Sequence, residues 1–478
     1  MFRQPSRSDY EKAVYEMSVL TETQKKTLID NFEKIKPAML AGIQQSMRIC
    51  SEKGEASADA PFGPGPKAAL LDALEQAEKL GFRTANIDNK IGYAEIGEGD
   101  EMVAVLGHLD VVPAGEGWNT DPYGAVIRDG ILYGRGCLDD KGPIVGALYS
   151  LKAIVDSGIP LKRRIRVIMG TDEECGSACV AHYLATKQEM PVAGFTPDAD
   201  FPAIFCEKGI LRFELGCEIG GDGQALQLEG GVAANVVMPG LTLTAPASAE
   251  LPAEAADAVQ VQQKGDTVQY TFTGKSAHAM APQLGINAGY LAADYFKGVK
   301  LSRDIDQIFG FVREKLNHEP DGKSLGIART DEETGALTVN MGCMLRKGNM
   351  RVLTLDLRYP PVCNAEEIEE EIRKSAAEFG LRILEKEHAH PLYIPKDSAL
   401  IKTLMGVYRE MTGDQAEPIA IGGGTYAKAF PNMVAFGPLF PGDPDVIHQP
   451  NEWADLEKLL KSIEISMLAA AEMANGEI

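Results

Sequence analysis

Hydrophobic positions in the first part of the chain alternate between a strand pattern and a helix pattern. Short apolar runs at Val103–Leu106 and Ile165–Met169 predict buried strands. They are followed by stretches with apolar residues at helical spacing, Pro143–Val155 and Ser177–Ala185. Strands that alternate with helices of this length are typical of a mostly parallel, doubly wound sheet with helices on both faces. This part of the chain is therefore predicted to be an α/β domain.

The pattern changes near residue 207. Val268–Phe272 and Leu353–Leu357 alternate between apolar and polar residues, as strands do when one face is solvated. Asn364, with Glu367 three residues later, predicts the start of a helix. An α+β domain with an antiparallel sheet is expected here, and from Ser398 the first pattern resumes. We therefore predict one α/β domain formed by 1–206 and 396–478, interrupted by an inserted domain at 207–395.

The composition is that of a globular protein with a large core, since 45% of the 478 residues are hydrophobic. The formal net charge of −22 repels phosphate backbones and anionic membranes, so neither nucleic acid nor a membrane is expected as a partner. The start of the chain shows no apolar run behind a basic head. The eight cysteines follow no metal-binding or C-x-x-C pattern, so reduced thiols and a cytoplasmic location are expected.

Side chains that can bind metals follow the predicted strands. His108 and Asp110 come directly after Val103–Leu106, at the edge where open α/β sheets place their ligands. In an extended chain the two side chains point the same way, so the carboxylate could hold one imidazole nitrogen and leave the other for a metal ion. Asp139 follows in a glycine-rich turn. Each of these residues alone more often has a structural role, as a histidine whose hydrogen bonds are satisfied at a strand end or as an aspartate that caps a helix.

Further acids and a late histidine complete the pattern. Glu173 and Glu174 follow Ile165–Met169, and Asp198 and His448 lie in later segments. Successive acids repel each other unless cations offset their charge, although a solvated acidic loop before a helix is the structural alternative. Together these histidines and carboxylates suit two divalent ions that share one carboxylate and one water. Glu173, beside a ligand, could take the proton of that water.

With these residues, the sequence resembles the ArgE/DapE/PepV family of co-catalytic di-metal peptidases. The motifs run in the family's order from near residue 70 to the C-terminus, and their combination is highly specific. They are His-Leu-Asp at 108–110, Gly-Arg-Gly-x-x-Asp-Asp-Lys-Gly at 134–142, Asp-Glu-Glu at 172–174, Pro-Asp-x-x-Phe-Pro at 197–202, and His448. The resemblance implies a zinc-aminopeptidase-like catalytic domain and makes the inserted domain a lid.

The resemblance also implies roles for the metal-binding residues. His108 and His448 would serve different ions, Asp139 would bridge both, and Glu174 and Asp198 would be terminal ligands, one per ion. A cis peptide bond is implied after Asp139. Zinc is the expected metal, with manganese or cobalt as alternatives.

The same resemblance assigns catalytic and substrate-binding residues. Asp110 would orient His108, and Glu173 would be the general acid/base. His278 resembles the lid histidine that polarises the scissile carbonyl, and Asn235 a second polar contact there. The residues that would bind the substrate's free carboxylate are Arg358, Gly423, Gly424 and Thr425. For Arg358 the alternative is an outward residue on an alternating strand.

The expected function is metal-dependent hydrolysis of dipeptides. The inserted stretch of 189 residues exceeds one ordinary lid of about 100 residues. In the family that the sequence resembles, dimeric members have a short lid and take the lid histidine from the partner subunit. The resemblance therefore implies, for a lid of this length, two lid subdomains, a functional monomer and a relation to the PepV-like dipeptidases. The main alternative is deacylation or desuccinylation of N-acyl amino acids on the same metals. A non-catalytic metal-binding protein is disfavoured by the presence of Glu173, and a nucleotide-binding enzyme by the lack of an early G-x-G-x-x-G.

Overall fold

A computed structural model describes residues 18–249, 251–252 and 258–478. Residues 1–17, in which no export signal is expected, lie outside the described residues. The α-helices are α1 Glu22–Met47, α2 Pro64–Lys79, α3 Lys141–Ser157, α4 Ala178–Ala185, α5 Ala288–Tyr295, α6 Arg303–Phe311, α7 Ala365–Glu378, α8 Ala399–Thr412 and α9 Leu456–Asn475.

The strands are short in the first part of the chain and longest in the middle. They are β1 Arg83–Ile87, β2 Ile91–Ile96, β3 Met102–His108, β4 Val126–Arg128, β5 Ile131–Tyr133, β6 Arg164–Gly170, β7 Ala193–Thr196, β8 Ala199–Asp200, β9 Ile204–Glu207, β10 Gly209–Glu218, β11 Gln227–Gly230, β12 Gly240–Pro246, β13 Val259–Lys264, β14 Thr267–Thr273, β15 Thr330–Asp331, β16 Gly335–Ala336, β17 Thr338–Lys347, β18 Met350–Tyr359, β19 Arg382–Ala389, β20 Leu392–Tyr393, β21 Ile419–Ile421, β22 Met433–Ala435, β23 Pro438–Leu439 and β24 Trp453–Asp455.

The chain divides into two compact units. The first contains the described residues up to Cys206 together with Ile394–Ile419 and Thr425–Ile478. The second contains Glu207–Tyr393 and the short segment Ala420–Gly424.

The first unit is built on a mixed sheet whose centre is parallel. The strand order is β1-β2-β6-β3-β7-β22-β9, in which β6, β3, β7 and β22 run parallel and the flanking strands antiparallel. Every residue of β3 is buried, as expected for a strand covered on both faces. The predicted α/β fold with a mostly parallel sheet is confirmed, whereas the β1–β2 hairpin was not predicted.

Element boundaries decide where the candidate ligands lie. β3 runs two residues beyond the predicted Val103–Leu106, so that His108 is its last residue. α3 begins at Lys141 and places Pro143 in its first turn, where a missing N–H costs nothing. α3 packs on α1 and α9, and its apolar residues lie in the core of the unit.

The second unit contains one antiparallel sheet with the order β13-β14-β12-β11-β17-β18-β10-β19. Apolar residues of α5, α6 and α7 complete its core. Asn364 caps α7 as predicted, since its side chain accepts hydrogen bonds from the backbone N–H groups of Glu366 and Glu367. The sheet is continuous because β10, at the start of this stretch, pairs with β18 and β19 near its end. The division of this stretch into two subdomains, which its length suggested, stays a prediction.

All eight cysteines are free thiols, as expected. Within the part of the chain that the structure describes, no helix combines the length and the apolar character needed to cross a membrane.

Replacing Leu106 by Ala tests the importance of β3. Leu106 is fully buried, so the variant should lower the free energy of unfolding by about 2–5 kcal/mol, measured by urea denaturation. Leu71→Ala is the matched control because Leu71 is 44% exposed on α2, and its effect should stay below about 1 kcal/mol. Equal effects of the two variants would contradict this placement of β3 in the core.

Candidate active site

Five predicted metal ligands come from different segments of the first unit. His108 ends β3, Asp139 lies in the turn before α3, and Glu174 follows β6. Asp198 follows β7, and His448 lies in the loop before β24. Because β3, β6 and β7 are parallel, their carboxyl ends meet at one edge of the sheet, which is where such folds place ligands.

Asp139 lies between the two histidines. One carboxylate oxygen, Oδ1, is 3.0 Å from Nε2 of His108, and the other, Oδ2, is 2.7 Å from Nε2 of His448. Asp198 Oδ2 is 3.7 Å from Nε2 of His108, and Glu174 Oε1 is 3.2 Å from Nε2 of His448. Each histidine is therefore close to one terminal carboxylate and to one oxygen of a shared carboxylate. The expected cis peptide bond between Asp139 and Asp140 is present.

The electrostatics of this cluster fit divalent cations. Burial raises the pKa of Asp198 to about 7. Burial and then repulsion from Asp198 raise the pKa of Glu173 well above its usual range. For Asp139 burial acts in the same direction, but hydrogen bonds from His108 and His448 outweigh it and hold its pKa well below the usual range. A mixed set of imidazoles and crowded carboxylates is the donor set that zinc, manganese or cobalt ions accept, and bound cations would offset the repulsion.

Asp110 fixes the neighbouring groups in two ways. Nδ1 of His108 lies 3.0 Å from the Asp110 backbone oxygen and 3.5 Å from Oδ1 of its carboxylate, which directs Nε2 toward Asp139. The Asp110 carboxylate also accepts hydrogen bonds from the backbone N–H groups of Glu173 and Glu174, both at 3.1 Å. This second contact joins the end of β3 to the acidic loop after β6, and it was not visible in the sequence.

Asp140 is a site residue that the sequence analysis missed. Its Oδ2 accepts a hydrogen bond from the His108 backbone N–H at 3.0 Å, and the residue is completely buried. A Cβ atom on Gly107 would lie 2.1 Å from this oxygen, so only glycine fits at that position of β3. The signal was the second aspartate of the Asp-Asp pair, for which a capping role was the ordinary interpretation.

Glu452 is the second missed residue. Its fully buried carboxylate accepts hydrogen bonds from Nη1 of Arg135 at 2.8 Å and from the N–H groups of Gly136 and Leu138 at 3.1 Å. Glu452 thereby ties the segment that carries His448 to the turn that delivers Asp139. The sequence offered only the arginine of the Gly-Arg-Gly motif as a signal. Its burial, which requires an acidic partner, is visible only in the structure.

The second unit holds His278, Asn235 and Arg358. The Met280 N–H donates a hydrogen bond to Nδ1 of His278 at 3.1 Å, so in the neutral ring the proton lies on Nε2. Desolvation and the positive charge of Arg358 lower the pKa of His278, which favours this neutral form. The backbone oxygen of Asn235 accepts a hydrogen bond from the Ala279 N–H at 2.8 Å, so the loops that carry Asn235 and His278 are adjacent.

Arg358 is buried on β18, so the alternative of an outward-facing residue is wrong. Asp356, which the sequence analysis missed, accepts hydrogen bonds from two atoms of Arg358, Nε at 2.5 Å and Nη2 at 3.1 Å. Nη1 of Arg358 lies 3.5 Å from the backbone oxygen of Gly422. These contacts use three of the five N–H donors of the guanidinium, which leaves one donor on Nη1 and one on Nη2.

The glycine-rich loop is divided between the units. Gly423 and Gly424 belong to the second unit with Gly422, which approaches Met280 so closely that a Cβ atom on it would lie 2.9 Å from the Met280 Cβ. Thr425 belongs to the first unit, where its side chain accepts a hydrogen bond from the Ala427 N–H and caps a short 3₁₀ helix. That Gly423, Gly424 and Thr425 bind the free carboxylate of the substrate stays a prediction.

Comparison with known proteins identifies the family. Residues 104–472 match the model of peptidase family M20/M25/M40. The chain belongs to this family. It is similar to "Putative dipeptidase YtjP" of Bacillus subtilis (strain 168), with 38% identity over 456 residues that cover 92% of this chain and 98% of the relative. It is also similar to "Putative dipeptidase SH1171" of Staphylococcus haemolyticus, with 34% identity over 448 residues that cover 89% and 94%.

Solved structures of low sequence identity share the fold. Human carnosine dipeptidase 1 matches with a TM-score of 0.59 at 16% identity, over 95% of this chain and 99% of that one. The dipeptidase Dug1p of Saccharomyces cerevisiae matches with a TM-score of 0.58 at 15% identity, over 94% and 98%.

The family resemblance found in the sequence is confirmed. As an M20-family member, the protein is a peptide-bond hydrolase. The family is metal-dependent and typically holds two metal ions. The described residues include a candidate metal group in which one ligand atom each of His108, Asp139 and Glu174 lie within 4.8 Å of one another.

Replacing Glu452 by Gln tests the link between the two ligand segments. The substitution leaves Arg135 buried without a carboxylate, so the free energy of unfolding should fall by about 3 kcal/mol in urea denaturation. Zinc affinity, measured by competition with a chelator, should fall by about 10–100-fold because the ligands lose their support.

Glu457→Gln is the control for this experiment. Glu457 is exposed in the first turn of α9, and its substitution should cost less than about 1 kcal/mol and leave zinc affinity unchanged. If Glu452→Gln behaved like this control, Glu452 would not support the ligand segments.

Proposed function

We propose that this M20-family hydrolase cleaves the amide bond of dipeptides with two divalent metal ions held around Asp139. The observation that carries the proposal is the contact of each Asp139 carboxylate oxygen with a different histidine, His108 on one side and His448 on the other. This arrangement is what a carboxylate shared by two ions requires. The printed names of the relatives that cover almost the whole chain support the dipeptide as substrate.

The residues divide into two ligand groups. His108 and Asp198 would hold one ion and His448 and Glu174 the other, with Asp139 common to both. When bound, the ions supply a water of lowered pKa and polarise the scissile carbonyl. Zinc is our first choice of metal, with manganese or cobalt as alternatives, because imidazole and carboxylate donors suit all three.

Glu173 would act as the general acid/base. It neighbours the ligand Glu174, and the Asp110 carboxylate fixes the backbone N–H of both glutamates. Its carboxylate takes a proton from the attacking water and delivers it to the leaving amine.

Residues of the second unit would act on the substrate's carbonyl and carboxylate. His278 would donate a hydrogen bond from Nε2–H to the carbonyl oxygen as negative charge develops there, with Asn235 as a second polar contact. Arg358, fixed by Asp356, would present the end of its guanidinium to the free carboxylate of the dipeptide. The backbone N–H groups of Gly423 and Gly424 would complete that contact.

We further propose that the chain is active as a monomer, with His278 acting on the substrate of its own chain.

Deacylation of N-acyl amino acids on the same ligands is the second candidate. It would retain the carboxylate contact with Arg358 but would not need a free amine on the substrate.

A substrate panel tests the reaction. Protein stripped of metal with a chelator should lose activity, and zinc, manganese or cobalt should be added back singly. Dipeptides should be cleaved much faster than N-acetyl amino acids or tripeptides, measured by release of free amino acids. Faster cleavage of N-acetyl amino acids would select the second candidate, and full activity of the stripped protein would contradict the metal centre.

Replacing Glu173 by Gln tests the general base. The variant should lose about 10²–10⁴-fold in kcat, because Gln cannot accept the proton, while it retains the metal content of the wild-type protein. Metal content is measured by elemental analysis and kcat with the best dipeptide of the panel. Glu457→Gln provides the control and should leave both values unchanged. Near-normal turnover of Glu173→Gln would assign the proton transfer to another group.

A further inference from the structure

One strand of the second unit contacts both loops that carry the predicted carbonyl-binding residues. Oγ1 of Thr338 donates a hydrogen bond to the backbone oxygen of Ala279 at 3.0 Å, directly after His278. Nδ2 of Asn340 donates a hydrogen bond to the backbone oxygen of Ala234 at 2.8 Å, directly before Asn235. Thr338 and Asn340 are two residues apart on β17, so their side chains lie on the same face.

The two loops and the carboxylate-binding residue share this support. The Ala279 N–H bonds to the backbone oxygen of Asn235, so the loops are joined to each other as well as to β17. Thr338 is the register partner of Arg358 on β18. The positions of His278, Asn235 and Arg358 are therefore all fixed relative to one pair of strands.

Asn340 carries a feature that folding alone does not explain. The residue is 1% exposed, and its Oδ1 has no hydrogen-bond partner among the described residues. An unpaired buried acceptor lowers stability, whereas an apolar side chain of similar shape would avoid that loss. What the amide provides in return is the single bond from Nδ2 to the loop of Asn235.

We propose that Thr338 and Asn340 are positioning residues of the hydrolase. Thr338 sets the place of His278, and Asn340 sets the place of Asn235, both relative to Arg358. The carbonyl oxygen and the carboxylate of one dipeptide are separated by a fixed number of bonds, so the groups that bind them must keep a fixed spacing. This inference rests on the proposed function, in which His278 and Asn235 act on the carbonyl and Arg358 on the carboxylate.

Thr338→Val and Asn340→Leu remove the two bonds while nearly preserving side-chain shape. Each should lower kcat for a dipeptide by about 10–100-fold, since a displacement of about 1 Å can cost 10²-fold in rate. KM should change by less than about 3-fold, because Arg358 still binds the carboxylate. Thr338→Ser retains the hydroxyl and should restore kcat to within about 3-fold of wild type.

Thr354→Val is the matched control for a purely structural effect. Thr354 is 7% exposed and Thr338 8%, and the Thr354 hydroxyl also binds a backbone group, the Cys343 N–H at 2.8 Å. Within the described residues, this hydroxyl has no hydrogen bond to the loop that carries His278 or to the loop that carries Asn235. Removal of the hydroxyl should therefore lower the unfolding midpoint without changing kcat. If Thr354→Val lowered kcat as much as Thr338→Val, the inference would be overturned.

Coupling to the carbonyl-binding residues separates this inference from the proposed function. Thr338→Val should have no further effect on kcat in a His278→Gln background, and Asn340→Leu none in an Asn235→Ala background, because each acts through its partner. Full independent effects in these backgrounds would overturn the inference. Should His278→Gln itself leave kcat unchanged, the proposed role of His278 fails instead. A loss of kcat in His278→Gln with no loss in Thr338→Val would contradict the inference alone.

Discussion

The site depends on one carboxylate shared by two imidazoles. Each oxygen of Asp139 approaches Nε2 of a different histidine, and those histidines come from the end of β3 and from a loop near the end of the chain. The position of Asp139 therefore sets the spacing of both ligand groups. Two buried acids control the surroundings, since Asp140 holds the backbone of His108 and Glu452 holds the turn before Asp139. A small displacement of Asp140 or Glu452 would therefore also displace candidate ligands of both groups.

Buried charge is the energetic constraint on this arrangement. Burial is the largest cause of the raised pKa of Glu173 and of Asp198, which means that their ionised forms are disfavoured in the fold. Burial also raises the pKa of the supporting acid Glu452, but Glu452 and Asp356 each accept several hydrogen bonds, including bonds from a buried arginine. Hydrogen bonds within the protein therefore offset part of the charge of these two acids, while bound cations would offset the repulsion among the crowded candidate ligands.

The inferred role of the second unit is different, since it would set the spacing of the groups that bind a substrate. Neutral hydrogen bonds from Thr338 and Asn340 on β17 hold the loops that carry His278 and Asn235. On the adjacent strand β18, an ion pair with Asp356 holds Arg358. A sheet suits this purpose because its strands are rigid and their register is fixed. Oδ1 of Asn340 has no hydrogen-bond partner among the described residues, and an unpaired buried acceptor lowers stability.

The sequence by itself determined the family and the main alternation of strands and helices in the first unit, and it predicted the types of the candidate ligands, because apolar periodicity and motif order are local properties. It also placed His108, Glu174 and Asp198 at one edge, since parallel strands bring their carboxyl ends together. Only the tertiary structure decided which polar groups meet: Glu452 with the turn before Asp139, and Asn340 with the loop of Asn235. Periodicity reports which face of an element is apolar. The partner of a buried polar side chain depends instead on how distant segments pack, and no local pattern encodes that choice.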